Sequence, residues 1–197
     1  MKYFFSVIIT VFVLLSFAGC SSPKMIDTSY DRRNTVMDLD YRDFEKAARN
    51  AVASMLESGA VNKPEGGRYV LAISDIENKT PRRFDTDQLV KKIRVALLKS
   101  GKVVTTTAIS GNGIEDDMTY KVRQLRQSEE FSQDNIAGRG EMIAPELSLS
   151  GKILQRDIKI SKRKKQVEYY LQLTLTELRH GLALWENETL IVKEGSR

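Results

Sequence analysis

Tyr69-Val-Leu-Ala-Ile-Ser74 is a short, nearly continuous apolar run, and the architecture of the chain is built outward from it. Runs of this length and composition are strands buried on both faces. The stretch Asp75-Ile-Glu-Asn-Lys-Thr-Pro-Arg-Arg-Phe84 reads as a loop, because Pro81 forbids further ladder pairing and Asn78 and Thr80 can bond their own backbone. Asp85 or Thr86 then caps a helix with Leu89, Val90, Ile93, Ala96 and Leu97 on one side and Lys91, Lys92, Arg94 and Lys99 on the exposed side. Ser100-Gly101 ends that helix, and Lys102-Val-Val-Thr-Thr106 is a second strand. Strand, helix and strand at this spacing form a crossover unit, which sets the two strands parallel.

Upstream, Phe44, Ala47, Ala48, Ala51, Val52, Met55 and Leu56 recur at the spacing of one helix face. Asp40 is its N-cap, Asp43 suits its first turn, and Gly59 suits a left-handed stop. The Ala-rich stripe predicts close packing against a sheet. Before it, Ser21 to Leu39 is polar and aperiodic, a tether. About 20 residues at roughly 3.3 Å each reach some 60 to 70 Å at full stretch, and a coil averages nearer 25 Å.

Downstream, Ile114 to Gln133 is partly helical after the acidic turn Glu115-Asp116-Asp117, whose consecutive side chains diverge and read as a solvated helix start. From Pro145 to Lys193 the pattern is β. Leu147, Leu149, Gly151 and Ile153 alternate with polar residues, as do Val167, Tyr169, Leu171, Leu173 and Leu175, and a last strand runs from Ala183 through Trp185 to Val192. Two turns separate these strands, Ser161 to Lys165 and Leu178-Arg-His-Gly181, which makes a three-stranded antiparallel meander. The segment from Lys159 through Lys165 holds five basic residues and no acid. The expected fold is α/β, a mixed sheet of about four to five strands flanked by helices.

The amino end carries Lys2, an apolar stretch from Tyr3 to Phe17, and Ala18-Gly19-Cys20. A positive segment, a hydrophobic segment of about 15 residues and small residues at its end form an export signal, too short for the roughly 20 residues of a permanent span. The run Leu15-Ser-Phe-Ala-Gly-Cys20 resembles the lipobox of bacterial lipoproteins, which implies cleavage before Cys20, acylation of that residue and anchoring in a membrane through its acyl chains. Ser22 stands where an Asp commonly marks inner-membrane retention, so the resemblance implies an outer-membrane anchor with the domain on the periplasmic face. The expected division is a signal peptide over 1–19, a tether over 20–39 and a globular domain over 40–197.

Cys20 is the single Cys, which excludes an internal disulfide, and His180, in a turn, is the single His. These exclude a Cys–His nucleophile and a His-rich metal site. There is no Gly-x-Ser-x-Gly elbow, and Gly111-Asn-Gly113 lacks the context of a dinucleotide loop. No cofactor is expected, and catalysis is disfavoured. A net charge of +5, about +4 once Lys2 leaves with the signal, does not point to nucleic acid. The reading is a monomeric binding module on a lipid tether. Candidate contact residues are Asn78, Thr80, Arg82 and Arg83 beside a strand end, and Lys162, Arg163, Lys164 and Lys165 in the basic hairpin.

The lipobox, tether and first helix, then Val70-Leu-Ala-Ile-Ser-Asp-Ile-Glu-Asn-Lys-Thr80, Leu97-Leu-Lys-Ser-Gly-Lys-Val103 and Tyr170-Leu-Gln-Leu-Thr-Leu-Thr-Glu-Leu178 with Trp185 after a Gly turn, resemble the LpoB-type outer-membrane lipoprotein activators of class A penicillin-binding proteins. The resemblance implies a domain like the amino-terminal domain of TolB. It also implies docking on a bifunctional peptidoglycan synthase whose two activities rise. Curli-secretion lipoproteins share the Asn-x-Thr loop, and a structural role in a secretion or envelope complex is the alternative.

Overall fold

The computed structural model describes residues 36–111 and 115–196, which lie in one compact unit beginning at Val36. The lipidation candidate Cys20 and the signal peptide lie outside the described residues. Helix α1 is Tyr41–Glu57, β1 is Tyr69–Lys79, α2 is Asp87–Lys99 and β2 is Val103–Thr105. A short helix, α3, spans Met118–Gln124, and β3 (Leu147–Lys159), β4 (Lys164–Glu177) and β5 (Leu182–Ser196) close the chain. The five strands form one sheet in the order β2-β1-β3-β4-β5. β1 is parallel to both β2 and β3, and β3, β4 and β5 are antiparallel neighbours. The crossover unit and the meander are thus the two halves of the sheet, joined where β1 meets β3.

α1 begins as its sequence dictates. The Asp40 carboxylate accepts from the amides of Arg42 at 2.9 Å and Asp43 at 3.3 Å, while Asp43 accepts from the Asp40 amide at 2.8 Å, a reciprocal capping box. Gly59, at φ 75°, supplies the left-handed residue that stops the helix. Burial pushes the Asp40 carboxyl up, but bonds from the Arg42 guanidinium and amide and from the Asp43 amide outweigh it, and it sits below its ordinary value of 3.8. A carboxyl that holds its proton less tightly when folded contributes stability above about pH 4 that is lost as pH falls through that range. Asp40→Ala is expected to lower stability by about 1 kcal/mol at neutral pH in urea unfolding. The urea midpoint of the wild type should also fall more steeply between pH 5 and 3 than that of the variant.

The core lies between one face of the sheet and the two long helices. Phe44, Ala47, Ala48, Ala51, Val52 and Met55 of α1 and Leu89, Val90, Ile93 and Leu97 of α2 meet Leu71, Ile73, Ile76, Leu147, Leu149, Ile153, Leu171, Leu173 and Leu175. Trp185 joins them and donates its indole N–H to the Ser54 hydroxyl at 3.2 Å. Three findings differ from the sequence reading. β1 does not end at Ser74: its pairing with β3 is interrupted between Ile73 and Ile76 and then resumes to Lys79, because a bulge absorbs Ser74-Asp75 and returns Ile76 to the core. Arg94 is not on the exposed side of α2 but 9% exposed, with Nε and Nη2 lacking hydrogen-bond partners among the described residues. The helical stretch of the middle region is short, α3 and two 3₁₀ turns at Leu125–Gln127 and Gln133–Asn135, and none of them has a buried residue.

Residues Met37 to Leu39 lie against the domain. The Tyr169 hydroxyl donates to the Met37 carbonyl at 3.2 Å, and burial pushes that phenol up to about 12. The Lys193 ammonium donates to the Asp38 carbonyl at 2.7 Å and to the Asp43 carboxylate, and Leu39 packs on the core.

Candidate functional site

The face of β3, β4 and β5 turned away from α1 and α2 is polar at one end and partly apolar towards the other. Cross-strand register sets Ser150 beside Thr174 and Glu186, then Lys152 beside Gln172 and Glu188, then Leu154 beside Tyr170 and Leu190, then Arg156 beside Glu168 and Val192. Glu77 of β1 stands next to Lys152. The polar rows floor an open groove of about 800 Å³, to which Asp75 and Glu77 also contribute. Leu190 and Val192 are about half exposed, at 51% and 49%.

The loop residues selected from the sequence form a small closed network. The Asn78 amide donates to the Arg82 carbonyl at 2.8 Å, its carbonyl oxygen accepts from the Thr80 amide at 3.0 Å, and the Thr80 hydroxyl accepts from the Arg82 amide at 3.2 Å. Asn78 is the last residue but one of β1, and the network fixes the turn into Pro81 just where ladder pairing stops. The Arg82 guanidinium pairs with Asp38 at 3.3 Å, and Arg83 is exposed beside Phe84, whose ring packs on Phe44 at 5.6 Å.

In the basic hairpin, Lys164 and Lys165 belong to β4 rather than to the turn. The Ser161 hydroxyl accepts from the amides of Arg163 and Lys164 at 3.3 and 3.2 Å, leaving Lys162 and Arg163 at the exposed tip. Lys164 pairs with Glu194 at 2.8 Å, and the hydrogen bond to that carboxylate holds its ammonium above the usual lysine value. Arg82 and Lys165 line one cleft of about 300 Å³ with Asp38, Gln155, Asp157 and Tyr169. The parallel register of β1 on β3 therefore brings the loop and the hairpin to one end of the sheet. Sequence reasoning did not select Glu186, Glu188, Leu190 and Val192, whose shared face depends on strand order.

His180 is exposed, with Nδ1 2.8 Å from the Glu177 carboxylate, as a turn residue. Among the described residues no three His, Cys, Asp or Glu side chains converge as a metal site requires, and no helix is long and apolar enough to cross a membrane.

A comparison with solved structures finds the LpoB C-terminal domain from Salmonella enterica at 15% identity, covering 76% of this chain and 98% of that one, with a TM-score of 0.43. The NMR structure of Escherichia coli LpoB matches at 13% identity, covering 91% of this chain and 85% of that one, with a TM-score of 0.42. A comparison with curated proteins finds no match. The model of the family described as peptidoglycan-synthase activator LpoB matches residues 43–191, from the first turn of α1 to the middle of β5. That description is of a regulator of enzymes, not of an enzyme. The chain belongs to the LpoB family of peptidoglycan-synthase activators.

Proposed function

We propose that the mature chain is an outer-membrane lipoprotein, acylated on Cys20, that binds a class A penicillin-binding protein from the periplasmic side and raises its glycosyltransferase and transpeptidase activity. The observation that carries this reading is the family match, which takes in both long helices and the first four strands. The sequence of the amino end supports the anchor. Residues 20–39 would act as tether, with Met37 to Leu39 fixing its exit point on the domain beside Tyr169 and Lys193. Acyl chains on Cys20 hold the protein at the membrane, at about 0.8 kcal/mol per buried methylene. The tether raises the effective concentration of the domain at its partner. Arg82, Arg83 and Lys162 to Lys165, at one end of the sheet, would meet anionic groups of the synthase or of the glycan, with Asn78 and Thr80 holding their loop in shape.

Two measurements test this reading. Cys20→Ser is expected to abolish incorporation of radiolabelled palmitate and to move the protein from the membrane to the soluble periplasmic fraction; unchanged fractionation would contradict the anchor. Affinity capture with the immobilised mature chain is expected to retain a class A penicillin-binding protein. Reversing the charges of Arg82, Arg83, Lys162 and Arg163 together should weaken that capture, more at low salt than at high. Purified protein that instead forms rings and retains no synthase would favour the secretion-complex role.

A further inference from the structure

β5 is one edge of the sheet, and at 15 residues it is the longest strand. An edge strand presents a row of unpaired N–H and C=O groups, which sheets ordinarily guard with short strands, Pro, bulges or Lys side chains. The opposite edge, β2, is guarded by being three residues long. β5 is guarded by neither shortness nor Pro, and its outward charges are acidic. It contains no Pro, its one irregularity lies at its start opposite Leu175 and Thr176, and its Lys193 is turned towards the helices and held by Asp43 and the Asp38 carbonyl. Among the described residues, its backbone hydrogen bonds run to β4 alone.

The side chains along that edge state what would fit it. On the open face β5 shows Glu186, Glu188, Leu190, Val192 and Glu194. Glu194 is neutralised by Lys164. Among the described residues Glu186 and Glu188 receive neutral donors, the Thr174 hydroxyl at 3.2 Å and the Gln172 amide at 2.7 Å. These two carboxylates, without an ion-pair partner among the described residues, stand in a chain of net charge +5, beside a half-exposed Leu190–Val192 pair. Two copies paired antiparallel with Glu186 and Glu188 of one strand opposite the same two acids of the other would set like charges across the pair, which is destabilising.

We propose that β5 is a docking strand: an extended, basic segment of the synthase pairs main chain to main chain along its free edge, with Lys or Arg beside Glu186 and Glu188 and an apolar side chain over Leu190 and Val192. The proposal rests on the activator reading and names the surface it uses. Main-chain bonds supply the affinity of such an added strand, and the alternate side chains supply its specificity.

The test uses the mature chain from residue 20 with Cys20→Ser, a purified class A penicillin-binding protein, and amide hydrogen exchange resolved by residue. In the complex, every second amide between Asn187 and Lys193 is expected to slow by at least about tenfold, with β2 unchanged. Glu186→Lys with Glu188→Lys is expected to weaken binding by at least about tenfold while leaving the urea midpoint in place, and Leu190→Lys should act in the same direction. Wild-type binding without slowing in β5, or binding unaffected by the charge reversal, overturns the docking strand and leaves the activator reading standing. Concentration-dependent dimers that slow the same amides without any synthase assign the edge to a second copy and also overturn it. If no synthase binds the wild type, the activator reading fails. An acetylated ten-residue peptide of alternating Lys and Val then decides the edge by itself: slowing in β5 supports it, and none overturns it.

Discussion

Lys193→Ala is expected to lower folding stability by about 3 to 5 kcal/mol, the usual cost of removing one member of a buried ion pair. The side chain of Lys193 is 7% exposed and that of Asp43 is 16% exposed, so the carboxylate left behind has little access to water. The same ammonium also donates to the Asp38 carbonyl at 2.7 Å, and Asp43 is half of the capping box that starts α1. One charge thus ties the edge strand to the start of the first helix and to the chain entering it. Urea unfolding followed by circular dichroism measures the loss. Lys193→Met with Asp43→Asn should recover part of it, since the buried carboxylate goes with its partner. A cost under about 1 kcal/mol would mean that the pair behaves as an exposed one.

Gly151→Ala is the second large effect. A Cβ at this position would lie 2.4 Å from the Gln172 carbonyl oxygen and 2.6 Å from Leu173 Cδ2. The first of these is backbone of the neighbouring strand, and it cannot retreat without opening the β3–β4 ladder. Gly151 is also the residue at which β1 rejoins β3 after its bulge, opposite Ile76. The expected loss is about 1 to 3 kcal/mol from overpacking, read from the urea midpoint, whereas Ser148→Ala on the same strand should cost a few tenths. Equal midpoints for the two variants would contradict the close approach of β3 and β4.

The parts of this molecule that were legible in the sequence are those governed by local pattern. Asp40 and Asp43 were readable as a helix start because caps act over three residues, and the meander because alternation at Leu147 to Ile153 and Val167 to Leu175 holds without a break. The second half of β1 was hidden because Ser74-Asp75 interrupts the apolar run and a bulge conceals the return of Ile76 to the core. Arg94 carried a signal that its charge obscured: it lies four residues after Val90 and three before Leu97, on the buried stripe. Met37 and Leu39 are two apolar residues in an aperiodic stretch, and nothing local says that they meet β4, β5 and α1. The candidate site divides the same way. The turn chemistry of Asn78 and Thr80 was readable, whereas the meeting of Arg82 with Lys165, and the edge position of β5, follow from strand order.

The most direct test of the central claim is the rate of glycan-chain synthesis from lipid II by the class A penicillin-binding proteins of the same cell, with and without the mature chain from residue 20 carrying Cys20→Ser. A synthase that binds the protein and polymerises several times faster in its presence is the predicted result. The absence of both binding and acceleration at micromolar protein, with the urea midpoint confirming a folded domain, would contradict it.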